Sequence, residues 1–242
     1  METVIEINNL TKSFNGKAVL KGISLSVSKG ENLVVIGKSG EGKSVTIQCL
    51  IGLLPADEGS IKIFGEEISG LNEEQLKEVR KRMGFLFQQS ALYDSMTVRE
   101  NLAFPLQRVL KITDAADIER RSVEALEAVG LADAIDKMPS DLSGGQRKRM
   151  GLARTLIANP EIILYDEPTT GLDTITSNEI SQLILAIQKK YNASSIIITH
   201  DMSCAKITGD RMVILNDGKC VAEGTYSELE KSSDPFISSF FK

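Results

Sequence analysis

"NLVVIGKSGEGKSVTIQCL", residues 32–50, runs from an apolar segment through a glycine-rich turn into a second segment of helical character. NLVVI is a continuous apolar stretch without a charge, the composition of a strand buried on both faces. The turn GKSGEGKS, residues 37–44, satisfies G-x-x-x-x-G-K-[ST] in full and sits in the strand–turn–helix setting that this pattern needs. Gly37, Gly40 and Gly42 let the backbone turn so that successive N–H groups converge on a β-phosphate, with the helix dipole behind them. Lys43 then reaches the β- and γ-phosphates, and the Ser44 hydroxyl ligates Mg²⁺. The contact stretch is expected to include Lys38, Ser39, Glu41 and Val45 as well. The helix is predicted from about Lys43 to Leu54, ended by Pro55.

Outward from this turn, residues 4–65 read as short strands and turns. ISLSV alternates Ile23, Leu25 and Val27, SIKIF alternates Ile61 and Ile63, and Asn15–Gly16 suits a hairpin. Residues 72–83 and 95–158 read mostly as helices, with Asp114 and Ser143 as N-caps. From 161 onward strand and helix alternate: EIILYD, a helix near 176–190, SSIIITH, a short helix, and a hairpin over RMVIL-NDGK-CVAE. The expected architecture is an α/β core, residues 1–89 and 159–242, interrupted by a helical insert at about 90–158. Basic clusters at 80–82 and 147–149 are too short to be tails.

Composition narrows the function classes. With 242 residues, 42% hydrophobic and 25% charged, the chain has ample apolar sequence for a core. A net charge of −5 and a pI near 5.2 argue against a general nucleic-acid binder. No apolar run approaches the ~18 residues that span a bilayer, and METVIEINNL has no signal-peptide core. Three cysteines at wide spacing suggest a reducing compartment, so a cytoplasmic protein is expected.

Two further elements carry chemistry. IILYDEP, residues 162–168, is an apolar strand ending in two carboxylates. Asp166 would hold Mg²⁺ through its water shell, and Glu167 would polarise the water that attacks the γ-phosphate. His200, the single histidine, closes the strand SSIIIT, where a carboxyl strand edge would present it to the γ-phosphate. A second glycine turn, LSGGQRKRM at 142–150, poses a puzzle. Ser143 can cap a helix beginning near Gln146, leaving the N–H groups at Gly144 and Gly145 bare for an anion. One nucleotide cannot easily use two such cradles when one lies on the core and the other on an insert. Two copies arranged head to tail solve this, each closing over the nucleotide held by the other. ATP then becomes the glue of the dimer.

In order and content these motifs resemble the nucleotide-binding subunit of an ATP-binding cassette (ABC) transporter, over essentially the whole chain. The resemblance implies the P-loop fold of the ABC ATPases, with an N-terminal antiparallel β-subdomain and a helical subdomain. It identifies Gln88 as a Q-loop glutamine touching Mg²⁺, LSGGQ at 142–146 as the signature, and Asp173 of GLD as a link between the two sites. Phe14 would stack on adenine. The transport path would belong to a separate permease, whose coupling helix is expected near Gln88 to Tyr93. The chain would sit on the cytoplasmic face of the inner membrane.

Residues 85–106, MPSDLSGGQRKRMGLART and the closing DPFISSFF are similar to the Mla and Mce-associated lipid transport ATPases, which implies phospholipid cargo and an Mce-type lipid-binding partner. Gln146 and Thr174 depart from that subfamily, where methionine and proline are frequent. An amino-acid importer ATPase is the alternative. A soluble ABC ATPase without a membrane partner fits less well, because such proteins usually carry two cassettes or a long coiled coil.

Overall fold

The computed structural model describes residues 2–241. Strands β1 (Thr3–Phe14) and β2 (Lys17–Ser28) pair antiparallel across Asn15 and Gly16, whose φ values of 49° and 78° are those of the two-residue turn that matches strand twist. Each is twelve residues long, not the short strand expected, and register shifts around Asn9 let the long pair bend.

β3 (Asn32–Ile36) is buried throughout and leads through the glycine turn into α1 (Lys43–Leu50). This helix stops four residues before the expected Leu54. Gly52 takes φ 68°, its N–H bonds Cys49 O at 3.0 Å, and Leu53 N–H bonds Gln48 O at 2.9 Å. A glycine C-cap therefore ends the helix ahead of Pro55. β4 (Glu58–Ile63) and β5 (Glu66–Glu67) complete a four-stranded antiparallel sheet in the order β2-β1-β4-β5.

α2 (Glu73–Lys81) begins at a capping box formed by Asn72 and Gln75. β6 (Met83–Leu86) has no counterpart in the sequence reading. Four residues are too few to display a period, and their strand character comes from pairing along a neighbouring edge. The helical region follows as α3 (Val98–Arg108), α4 (Ala115–Ala128) and α5 (Gly144–Leu156). Asp114 caps α4 as expected. Ser143 caps α5, which starts at Gly144, two residues earlier than expected.

The chain then alternates through β7 (Ile162–Asp166), α6 (Thr174–Tyr191), β8 (Ser194–Thr199), α7 (Met202–Thr208), β9 (Arg211–Asn216) and β10 (Lys219–Gly224). Short helices α8 (Tyr226–Glu230) and α9 (Pro235–Ser238) close it. The second sheet has the order β10-β9-β3-β8-β7-β6, parallel except for β10.

Strand alternation gives this sheet two apolar faces. Leu33, Val35, Leu164 and Ile198 join the core shared with the antiparallel sheet and α1, while Val34, Ile36, Tyr165 and Ile197 join the core beneath α5 and α6. Both faces are covered, so the carboxyl ends of β3, β7 and β8 are left as the place for a ligand.

Candidate nucleotide-binding site

The three strand ends deliver the expected groups to one place. A cavity of about 560 Å³ is lined by Lys38, Ser39, Gly40, Gly42, Lys43, Ser44, Val45, Gln88, Asp166, Glu167 and His200, together with Val19. Its size is in the range of small-molecule sites. The loop geometry explains the glycines. Gly42 stands at the N-cap of α1 with φ 94°, and a Cβ there would fall 2.5 Å from Leu20 Cδ2. A Cβ on Gly37 would fall 2.9 Å from the Leu215 carbonyl oxygen. Among the described residues no side chain caps the first turn of α1, so its N–H groups can meet an anion.

Lys43 folds back on this loop, its ammonium donating to Gly37 O at 2.7 Å and Lys38 O at 2.9 Å. Burial pushes its pKa down, while Glu167, Asp166 and Glu41 act in the opposite sense. The Ser44 hydroxyl lies 3.4 Å from Asp166 Oδ1. Burial and the neighbouring Glu167 push the Asp166 carboxyl up, against Ser44, Lys43 and Lys148. Hydroxyl, carboxylate and the Gln88 amide are hard oxygen donors too few to enclose a cation. They suit Mg²⁺, which keeps waters and shares phosphate oxygens.

Glu167 sits at φ 50°, an unfavourable value for a residue with a side chain, fixed by its N–H donating to Ile198 O at 2.9 Å. Its Oε2 accepts from His200 Nδ1 at 2.8 Å and from the Thr170 hydroxyl at 3.1 Å. His200 also borders a second hollow, with Thr169 to Leu172, Thr174 and Asp201.

Other expected site residues lie elsewhere. Phe14, at the end of β1, is 40% exposed with the Lys12 ammonium 5.6 Å from its ring, and it does not line the cavity. Val19 lines it instead. Ser143, Gly144, Gly145 and Gln146 do not line it either. Ser143 Oγ accepts from Gln146 N–H at 3.2 Å, and Gln146 Oε1 accepts from Ser143 N–H at 2.9 Å. A Cβ on Gly145 would fall 2.6 Å from Thr176 Cγ2, so the signature rests on the start of α6. Asp173 caps that helix by accepting from Ile175 and Thr176 N–H, both at 3.0 Å.

The basic run 147–149 is no solvated cluster. Arg147 donates to Leu142 O at 2.7 Å and Arg149 to Glu179 Oε2 at 2.8 Å. Lys148 is buried, and that burial pushes its pKa down against the pull of Asp166 and Glu167. Sequence reasoning missed Val19 and Lys148. The only signal for Lys148 was helical spacing, which puts it one turn past Gly144.

A phosphate loop, a strand-end carboxylate pair and a histidine on this doubly covered sheet define a P-loop nucleotide-binding cassette. The chain belongs to the ABC transporter family, whose model matches residues 20–170. It is 43% identical over 225 residues to the "Methionine import ATP-binding protein MetN" of Rhizobium johnstonii, covering 92% of this chain and 61% of that one. It thus spans about three fifths of the length of that relative. It is 40% identical over 240 residues to the "Probable ribonucleotide transport ATP-binding protein mkl" of Mycobacterium tuberculosis, covering 99% and 67%.

Among solved structures it resembles a dimeric ATP-binding cassette in a post-hydrolysis state bound to ADP and Pi. The TM-score is 0.82 at 31% identity, over 91% of this chain and 98% of that one. It also resembles cbiO1 of Clostridium perfringens, described as part of the ABC transporter complex cbiONQ. There the TM-score is 0.89 at 26% identity, over 100% and 96%. Among the described residues no helix is long and apolar enough to cross a membrane.

Proposed function

We propose that this chain is the ATP-hydrolysing subunit of an ABC transporter, that two copies pair head to tail around two ATP molecules, and that the pair drives a separate membrane permease from the cytoplasmic face. One observation carries this reading. The phosphate loop shares a cavity with Asp166, Glu167 and His200, whereas the second anion cradle at Ser143 lies outside that cavity on the same chain. The dimeric solved relative and the membership of cbiO1 in a transporter complex support the pairing and the permease.

In this reading the cassette core is 1–89 with 159–242, and the helical part at about 90–158 tilts to bring the signature over the partner's nucleotide. Lys43 exchanges the Gly37 and Lys38 carbonyls for the β- and γ-phosphates. Ser44, Asp166 and Gln88 would hold Mg²⁺, which would supply neutralisation of phosphate charge. Glu167 takes the proton of the attacking water, and His200 keeps that carboxylate aimed while reaching the γ-phosphate. Phe14, exposed at the end of β1, is the proposed adenine contact.

Glu167→Gln tests this. The expected result is retained ATP binding, hydrolysis reduced by about 100-fold or more, and a dimer by light scattering only when Mg-ATP is present. Undiminished hydrolysis would remove Glu167 as the base. A monomer with ATP, both alone and with the co-expressed permease, would remove the pairing.

For the cargo we propose phospholipid, handed over with an Mce-type lipid-binding protein. Support comes from the likeness of residues 85–106 and 234–241 to lipid transport ATPases. The 43% identity to a methionine import protein favours a second reading, an amino-acid importer. In the reconstituted complex, ATP-dependent movement of labelled phospholipid or of methionine separates the two.

A further inference from the structure

Helix α5 does more than present its first turn. One side of it packs on β6 and the loop at 87–93. Thr155 Oγ1 donates to Gly151 O at 2.8 Å and lies 3.3 Å from Phe85 O, and Arg154 Nη2 donates to Ser90 O at 3.0 Å. Between them Gly151 permits the approach, since a Cβ there would fall 2.8 Å from Leu86 Cδ1 and 2.9 Å from Ser90 Cβ. Ser90 and Ala91 hold φ values of 61° and 45°, so the loop keeps this shape only because its surroundings impose it.

Lys148 is buried in this contact. It is 5% exposed, outside the nucleotide cavity, and its ammonium makes no ion pair within 4 Å among the described residues. It donates instead to two backbone carbonyls, that of Gln88 and, at 3.3 Å, that of Glu167. Burying an ammonium whose hydrogen bonds all go to neutral carbonyls is costly, and the nearby Asp166 and Glu167 carboxylates offset that cost only in part. The two carbonyls are 79 residues apart in sequence, and they belong to the two residues proposed to face the metal and the attacking water. Tying both main chains to one side chain sets the positions from which both side chains start, while His200 and Thr170 orient the Glu167 carboxylate itself.

We infer that Lys148 is a positioning residue, a buried ammonium that locks the Gln88 backbone to the Glu167 backbone so that movement of α5 resets the catalytic base. This rests on the ATPase reading and adds a link to it: the helix that carries the signature for one site also holds the water-activating carboxylate of its own site. Closure over the partner's ATP and alignment of Glu167 are then one motion.

The test compares wild type with Lys148→Met, which keeps the length and removes the donors, and with Lys148→Arg, which restores them. In Lys148→Met, amide hydrogen exchange across 87–93 is expected to rise about tenfold, while α1 exchanges as in wild type. The Kd for Mg-ATP is expected to stay within about threefold, KM likewise, and kcat to fall about tenfold or more. Lys148→Arg is expected to recover most of that loss.

Wild-type exchange with wild-type kcat in Lys148→Met would overturn the inference. So would a parallel loss of ATP binding and kcat, which marks general damage. Should Lys148→Met not melt cooperatively, Lys148→Leu, which also lacks donors, takes its place, and a kcat equal to that of Lys148→Arg overturns the inference. If wild type itself does not hydrolyse ATP with its permease, the ATPase reading fails, and the exchange comparison still decides whether Lys148 braces the loop.

Discussion

Residues 37–44 and 142–146 share a recipe, glycines and a hydroxyl at the start of a helix, yet their settings are opposite. At the first, the N-cap is Gly42, which has no side chain to offer the first turn, and a lysine stands beside the open N–H groups. Two carboxylates and a histidine from other strands complete a cavity. At the second, Ser143 and Gln146 satisfy each other through a capping box, and Thr176 packs where a Cβ on Gly145 would go. The first cradle is finished by its own chain. The second is satisfied within its own chain, and only in the proposed pairing would it meet a nucleotide, that of the partner. A glycine turn at a helix start therefore does not say which ligand it serves; the groups folded opposite it do.

The sharpest way to break this contrast is Gly42→Ala. Positive φ and a Cβ 2.5 Å from Leu20 Cδ2 require both backbone strain and displacement of the core. A loss of about 2–4 kcal/mol in stability is expected, with ATP affinity reduced by about tenfold or more. Chemical unfolding and nucleotide titration read the two effects. Normal affinity in this variant would mean that the phosphate does not sit on the first turn of α1.

Gly145→Ala addresses the other turn and is expected to do less. The added methyl meets Thr176 Cγ2 at 2.6 Å, a side-chain atom that can move. ATP binding by a single copy should be unchanged, while ATP-driven dimerisation and hydrolysis fall about tenfold. The double variant with Thr176→Ser removes the opposing methyl and keeps the hydroxyl that donates to Asp173 at 2.7 Å. Recovery of both activities in the double variant is the expected outcome. A loss of ATP binding in Gly145→Ala would instead place the signature in its own chain's site.

This contrast also explains what could be read from the chain beforehand. The phosphate loop, the strand-end pair Asp166 and Glu167, and His200 announce themselves because each is a short motif at the end of an apolar strand. The Asn15–Gly16 hairpin and the Asp114 and Ser143 caps were legible for the same reason, since each depends on neighbours within four residues. β6 was not legible because four residues gain strand character only from β7 beside them. The end of α1 falls short of Pro55 because Gly52, with positive φ, ends the helix first. Lys148 was invisible in a run of three cations, because only packing of α5 on residues 85–90 decides which of the three is buried. Phe14 shows the converse. Its place in a motif suggests adenine, yet it stands exposed at the end of β1 outside the cavity lining, and its contact with a base stays a proposal.

The smallest effect separates the two roles of Ser143, cap and anion contact. Ser143→Ala removes the oxygen that accepts from Gln146 N–H and is expected to cost about 1 kcal/mol in unfolding free energy. Ser143→Asp keeps a capping oxygen and adds favourable charge at the start of α5, so its stability should match or exceed that of wild type. If the turn is only a capped helix, Ser143→Asp should hydrolyse ATP normally with its permease. If it closes over a partner's phosphate, the added carboxylate meets a like charge, and ATP-dependent dimerisation should disappear in a protein that is otherwise stable. Stability and pairing then move in opposite directions between two substitutions at one position, which no change in helix integrity alone can produce.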